Sequence, residues 1–488
     1  MLDWRELGKK TSWLMAIQEQ VGIGFDAEAA EKLVEQLSTE MEYLTIQVEA
    51  SLPERPLKQA EISEWSMPQK PFKMDGTESA HMVRFRERTG YTGKAVSNQC
   101  IKESMPMTIG NQEDIKNWLI AEGWEPTLWN YKKGPNGKPE RGPDGDYVKT
   151  SPKMQDKGKL CPNLEDMEGD LVRSIVRFLS LRNRFSVVTS WLQHPRLGVD
   201  GRLPSGSAGI TNTNRQRHKI VANIPKAEEG VIYGKEMRGL FTAKRGAVFV
   251  GWDASGLEAR VEGHYTYKYD NGAYARELLE GDIHSKNARV FYPEDTERLG
   301  SDEPSFKPFR SKSKNGKYAL SYGCSPKKLA STLGVSEFEG EILYDNFWEA
   351  NTALSALKSD VEKYWKAKKS LVAIDGRPLV CRSKHSLINT LFQSCGAIVM
   401  DISGLYMDKY LNGIKYSKEE GFHYLYKGYV VKRVIFYHDE YIFECPEEIA
   451  EEIGELGVMS IVKAGEIMKL RVPLSGEYKI GHSWGDIH

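Results

Sequence analysis

A chain of 488 residues is too long for one small core and implies two to four subdomains. Hydrophobic residues at 40% and charged residues at 28% are ordinary for a soluble globular protein, and a formal net charge of -1 excludes a global field that would draw the chain to a polyanion. Any polyanion site must be a local basic groove. No apolar stretch approaches the roughly 18 residues of a membrane span, and Met1 opens no signal peptide, so the expectation is a protein that meets no membrane and stays in the cytoplasm. Cysteines at 100, 161, 324, 381, 395 and 445 form no C-x-x-C pair. They read as reduced thiols, not as zinc ligands or a disulfide framework.

In chain order, the first predicted element is a helix over residues 25–51, rich in Ala, Glu, Leu and Lys with apolar residues at three-to-four spacing and Asp26 as its N-cap. From Pro53 to Pro106 the period is lost among scattered Pro, Gly, Lys and Arg, which reads as an insertion or long loop. A second helix is predicted from Asn111 to Glu122, stopped by Gly123. Residues 130–153, rich in Gly, Pro and Lys, read as an exposed hairpin or loop. A long amphipathic helix follows, from about Leu164 to Leu192. Paired antiparallel, the two long helices would make a stalk with both interruptions at one end. Two strongly apolar β-type runs come next. Ala247-Val248-Phe249-Val250-Gly251-Trp252 leads into Asp253. Val434-Ile435-Phe436-Tyr437 leads into His438-Asp439-Glu440 and out through Tyr441-Ile442-Phe443. Between them, over 273–372, helical patterns dominate.

If the two runs lie side by side, two carboxylates meet at one edge of a sheet. Hard cations held between them could bridge an attacking oxygen and a leaving phosphate. The intervening segment supplies a complementary face: Arg310, Lys314 and Tyr318 stand at i, i+4 and i+8 of a predicted helix that Tyr322 and Gly323 continue. A guanidinium fork and an ammonium suit a triphosphate, and an aromatic ring one turn on can stack under a base. Gly316 inside this helix costs it roughly 1 kcal/mol, tolerable in an element that must move. Taken alone, such a face is more often simply solvated. Its position between the acidic runs points to the joining of nucleotides on a template.

The constellation resembles that of a known family. Asp253-Ala254-Ser255-Gly256-Leu257-Glu258, then Gly281-Asp282-Ile283-His284, then Arg310, Lys314, Tyr318 and Tyr322-Gly323, then His438-Asp439-Glu440 are similar to motifs A, B and C of family A DNA polymerases, the DNA polymerase I family, and most similar to its bacteriophage replicative branch. Thr213-Asn214-Arg215-Gln216-Arg217-His218, closed by Asn223-Ile224-Pro225, resembles the primer-template clasp of that branch. So does Asp375-Gly376-Arg377 followed by His385, Asn389 and Gln393. The tail from Gly481 to His488 matches the usual family ending. The resemblance is strong over 195–488 and loose over 1–194.

The resemblance implies an α+β right-hand fold with an antiparallel-sheet palm, helical fingers and a helical thumb. The thumb and N-terminal helices would occupy 1–195 with an insertion at 53–106, the palm 196–265 and 387–488, and the fingers 266–386. It implies a DNA-directed DNA polymerase with Asp253, Asp439, Glu440 and Lys314 as catalytic groups. Asp253, the Ala254 carbonyl and Asp439 would hold two magnesium ions, for which manganese may substitute. The deoxynucleotide would meet Ala254, Glu258, His284, Arg310, Lys314, Tyr318 and Tyr322. Glu258, hydrogen-bonded to the Tyr318 hydroxyl, would bar a ribose 2′-hydroxyl. Arg215, His385, Asn389, Gln393 and His438 would face primer-template DNA, where minor-groove acceptors are alike in every correct pair. Each residue has a plainer role open to it: Asp253 as a helix N-cap, Glu258 as an exposed helix residue, His284 as a structural hydrogen-bonder, Asn389 as a buried amide, His438 as a turn residue.

Three departures carry further expectations. Ala319 stands where the family often has Gly, and its methyl should crowd the nascent base pair. Asp166-Met167-Glu168 is an early D-x-E and reads as helix N-terminal charge. The chain is therefore expected not to proofread, with a separate exonuclease chain or a truncated one behind that absence. Residues 53–106 fall where some relatives bind a processivity factor. Lys70, Lys73, Arg84, Arg86, Arg88 and Lys94, interleaved with Phe72, Phe85 and Tyr91, could instead grip duplex backbone, or the segment could be a loop without partner. A single-subunit RNA polymerase shares the layout, but Glu258 argues against it. A DNA-binding accessory derived from a polymerase would not need both aspartates. If the gene is viral, the compartment is the host cytoplasm.

Overall fold

The structure, a computed structural model, describes residues 3–487 except 136, 144, 145, 157, 158, 166 and 382. The expectations placed on Asp166 and on the final residue of the tail lie outside the described residues. The chain separates into two compact units: residues 1–29 with 191–488, and residues 30–190. The first 29 residues thus belong with the C-terminal body and not with the long-helix segment that follows them. Among the described residues no helix is long and apolar enough to cross a membrane, and the six cysteines are free thiols.

The larger unit is built on a six-stranded sheet in the order Lys415–Ser417, Gly421–Tyr426, Tyr429–Tyr437, Glu440–Cys445, Val248–Ala254, Gly476–Gly481, antiparallel throughout. Val248, Phe249, Val250 and Trp252 are all buried, which explains a continuous apolar run instead of an alternating one. Helix Ala450–Ile467 lies on the 248–254 and 476–481 strands and against helix Leu387–Tyr410. It comes close because Gly454 and Gly457 have no side chain: a Cβ at Gly457 would enter the Trp252 ring, and one at Gly454 the Tyr478 ring. Glycine weakens a helix interior by about 1 kcal/mol per residue, and the burial of two aromatic rings offsets that.

Trp4–Val21, outside the predicted elements, is a helix against the 429–437 strand and the 387–410 helix. Leu7, Leu14, Met15, Ile17 and Val21 are buried with Gln18. The Gln18 amide is fully paired across the fold: its nitrogen donates to the Ser205 carbonyl at 2.6 Å, and its oxygen accepts from Arg433 at 3.1 Å. A buried polar group with both ends satisfied fixes the helix where an apolar stripe alone would let it slide.

In the smaller unit, helix Ala27–Ser51 begins as predicted, with the Asp26 carboxylate accepting from Ala29 N at 2.9 Å. The long helix runs Asp170–Leu192, not from Leu164, because Gly169 at φ +112° breaks the chain before it. Within the segment expected as an exposed hairpin or loop, strand Trp129–Tyr131 pairs antiparallel with Lys149–Pro152. The segment 53–106 is neither a loop nor irregular. Strands Glu54–Pro56 and Ser104–Pro106 close its base, helices Gln59–Trp65 and Ala80–Thr89 form its body, and Met67, Met82, Phe85 and Ala95 make a separate small core. Arg55 on the base strand pairs with Glu61 and Asp114 at 2.7 Å each. Phe85 is thus a core residue, and Arg86 is held by Glu78 at 2.8 Å. Neither is free to grip a duplex.

Met82 is fully buried in a core of four residues, so Met82→Ala should cost about 2–5 kcal/mol, more than so small a core can lose. Hydrogen exchange should then show fast amides across 59–89 with unchanged protection in the 248–254 strand. Retained protection in 59–89 would mean that the small core is not what holds the segment.

Candidate active site

The site grows from one pairing. Asp253 is in register with Glu440, and Tyr437 pairs with Glu440 across a two-residue turn made of His438 and Asp439. Paired Cα atoms in such ladders stand about 4.5–5.5 Å apart, so Asp253 and the residue next to Glu440 share one sheet edge. Asp253 is exposed and Asp439 half-buried. His438 has φ +60° at the first position of the turn, where glycine is usual; a histidine there costs roughly 1–2 kcal/mol. Its backbone N–H donates to His218 Nε2 at 3.3 Å, and its ring lies 4.4 Å from that of Tyr437. The strained turn is thus braced by the clasp hairpin Ser205–Ile210 and Gln216–Ile220. Glu440 is buried and turned inward. Its carboxylate accepts from the Trp484 indole at 3.3 Å, and Arg238 lies over the Trp484 ring. The C-terminal tail therefore serves the site by fixing Glu440.

After Ala254 the chain turns through Gly256 at φ +59° into helix Leu257–Asp270. Glu258 sits in its first turn, half-buried. Burial raises its carboxyl above the ordinary range, against the hydrogen bond from Tyr322 and the charge of Lys317. The hydroxyl on Glu258 is that of Tyr322, at 3.0 Å, and not that of Tyr318 as the resemblance implied. The other Glu258 oxygen is buried without a partner. The charge of Arg215 reaches both Glu258 and Tyr322.

The basic helix runs Lys307–Ser321. It does not continue through Tyr322 and Gly323: Tyr322 caps it, and Gly323 turns at φ +79°. Gly316 has a packing reason, since a Cβ there would press on Leu333 and Phe291. Arg310 donates to Asp282 at 2.9 Å, while the other face of Asp282 caps helix Ile283–Phe291 through Ser285 N at 3.1 Å. Partial burial alone would raise the Asp282 carboxyl, but the bonds from Arg310 and Ser285 hold it well below the usual range. Lys314 is exposed one turn on. His284 stands beside them, its ring 6.1 Å from that of Tyr318. Burial, then the charges of Lys317, Arg310 and Lys314, lower its imidazole to about 4. It is neutral at ordinary pH and offers one N–H, not a charge.

The Tyr318 and Tyr322 rings stack at 6.5 Å. Gly323 passes so close to the His385 carbonyl that no Cβ fits. That contact joins the end of the basic helix to the segment bearing His385, which is exposed, and to helix Leu387–Tyr410 bearing Asn389 and Gln393. Asn389 Oδ1 is buried without a partner. Arg377, by contrast, is buried and paired with Asp375 at 2.7 Å, so that part of the sequence clasp is internal. Sequence reasoning missed Asp282, Glu262, Lys317 and Trp484 as site-building residues. Only Asp282 carried a signal, as an N-cap.

The sequence pattern of the family described as DNA polymerase family A matches residues 161–486. The DNA-directed DNA polymerases of Enterobacteria phage T3 and Escherichia phage T7 are each 26% identical over 550 residues, covering 100% of this chain and 70% of the relative. DNA polymerase I of Aquifex aeolicus is 28% identical over 67% of the chain and 53% of its own length. Among solved structures, the POL domain of Pol1 from M. smegmatis, in complex with DNA primer-template and dNTP, superposes with a TM-score of 0.65 at 17% identity, covering 98% of this chain and 70% of that one. The fold is the right-hand α+β fold of a polymerase domain. The chain belongs to DNA polymerase family A, and its phage relatives match it from end to end.

Three histidines, 218, 264 and 284, are each lowered from 6.5 to about 4, burial being the largest cause in every case. Between these values the unfolded chain binds the more protons, so their share of stability is whole above pH 6.5 and is lost as pH falls toward 4. Titration of the histidine ring resonances should show these three neutral down to about pH 4. Midpoints near 6.5 would contradict the burial described.

Proposed function

We propose that this chain extends a DNA primer along a template by two-metal phosphoryl transfer, Asp253 and Asp439 being the protein ligands. The observation that carries the reading is the register of Asp253 against Glu440, next to the strained turn that presents Asp439. The donor set suits a hard divalent ion: two carboxylates and the Ala254 carbonyl supply part of an octahedral oxygen shell. Two magnesium ions, or manganese in their place, would lower the pKa of the primer 3′-hydroxyl and stabilise the departing pyrophosphate.

The chain's own residues do the positioning. Arg310, exchanging Asp282 for phosphate, acts with Lys314 and the neutral His284 on the triphosphate. Tyr318 offers a ring to the base. Glu258, held by Tyr322, blocks the space of a 2′-hydroxyl. Arg215, Asn389, Gln393 and His385 face the minor groove of the primer-template, with His438 at the primer end. In this reading 196–265 and 387–488 form the palm, 266–386 the fingers and the long helices the thumb. The folded segment 53–106 is the place for a processivity factor.

Primer extension with dNTP, rNTP and ddNTP lanes tests the whole reading. Deoxynucleotides should be added and ribonucleotides refused. Asp439→Ala should lower kcat by about 10³-fold or more while primer-template affinity changes by less than about threefold. Equal loss of binding and activity would refute the metal role. The two tyrosines should separate. Tyr322→Phe should relax exclusion of ribonucleotides by about tenfold through its loss of hold on Glu258. Tyr318→Phe should instead lower acceptance of ddNTP, whose missing 3′-hydroxyl the Tyr318 hydroxyl replaces. Identical behaviour of the two variants would contradict the separate partners.

A further inference from the structure

Helices Leu257–Asp270 and Lys307–Ser321 are joined by a buried ion pair that the reaction itself does not use. Lys317 Nζ donates to Glu262 Oε2 at 2.5 Å, and the Tyr274 hydroxyl donates to Glu262 Oε1 at 2.5 Å. Glu262 is 0% exposed and Lys317 2%. Both carboxylate oxygens are therefore held, one from the basic helix and one from helix Ala273–Glu280. Desolvating two charges is costly, and well-packed apolar residues in such a seam are often as stable or more so. A pair kept there contributes direction: its geometry is satisfied at one rotational setting of the helix, where apolar contacts tolerate several.

The setting matters because of what shares the helix. Ser313, Gly316, Lys317, Leu320 and Ser321 are its buried residues, while Lys314 is exposed and Tyr318 half-buried. Each residue advances the helix by about 100°, so a small rotation about the axis re-aims Lys314 and Tyr318 together. Lys317 also lies 5.3 Å from the centre of the Tyr318 ring, and its charge reaches His284 and Glu258. We propose that the Lys317–Glu262–Tyr274 link is a positioning strut that sets the rotation of the basic helix and so aligns Arg310, Lys314 and Tyr318 on the incoming nucleotide. The inference rests on reading that face as the triphosphate site.

The test compares Glu262→Leu, Lys317→Met, the double variant and Tyr274→Phe in single-nucleotide extension at saturating primer-template, with melting temperatures alongside. Each single charge removal strands its partner and should lower the melting temperature. The double variant should melt at or above the parent temperature, yet keep a dNTP KM raised about tenfold with kcat within about threefold. A purely structural pair predicts that KM recovers with stability, and that result overturns the proposal. If the double variant does not fold, Tyr274→Phe decides: it should raise KM about threefold, and an unchanged KM overturns the proposal. Lys314→Ala is the control for the reading beneath. If it raises KM while the strut variants do not, the strut alone is wrong; if neither changes KM, the nucleotide site itself is misplaced.

Discussion

Everything at the site hangs from the antiparallel register of Val248–Ala254 against Glu440–Cys445. A slip of one residue would send Asp253 to the opposite sheet face and away from the turn. The register is held by large side chains that fit in one way only. The Trp252 and Phe443 rings are 4.8 Å apart, those of Phe436 and Tyr441 4.3 Å, and the Tyr441 hydroxyl donates to the Met400 carbonyl at 2.8 Å. The helix carrying Glu258 and Glu262 leaves directly from one strand, and the turn carrying Asp439 enters directly into the other. Core packing thus sets the spacing of the acidic pair with no flexible segment between.

The charges around the pair are arranged with the same economy. Arg310 is held by Asp282 and Lys317 by Glu262, while Lys314 stands in solvent. The exposed pair and the buried pair have different fates. Arg310 and Asp282 are each more than two-fifths exposed, so their interaction is weak and screened, and on the proposed roles a triphosphate with its greater charge would displace the carboxylate. Lys317 has no route to solvent and keeps its partner. One basic helix therefore carries an exchangeable cation on its outer side and a fixed one on its inner side.

Much of this was legible in the sequence, and the reasons for the rest are physical. The two acidic runs could be read because a strand buried on both faces is continuously apolar, and the basic face because period 3.6 puts Arg310, Lys314 and Tyr318 in line. The seat of helix Trp4–Val21 was hidden because its anchor is Gln18, a polar residue whose partners, Ser205 and Arg433, are remote in sequence. The small core of 53–106 was hidden because its four residues, two from helix Ala80–Thr89 and two from the connections around it, make no period. Lys317 and Glu262 look like surface charges in their own helices; only the tertiary fold buries them against each other. The end of the basic helix was misread because nothing before Gly323 marks it.

That helix end has consequences beyond its own turn. Had the helix run on through Tyr322, its two tyrosines would be equivalent, both open to one ligand. Capping at Tyr322 instead commits the Tyr322 hydroxyl to Glu258. Gly323 then crosses the His385 carbonyl at a separation that admits only glycine. A displacement of the basic helix must therefore be felt at His385, two residues before helix Leu387–Tyr410 and its Asn389 and Gln393. On the proposed roles, the residues that hold the incoming nucleotide and those that inspect the pair already formed are joined through one backbone contact, and neither group can shift without the other.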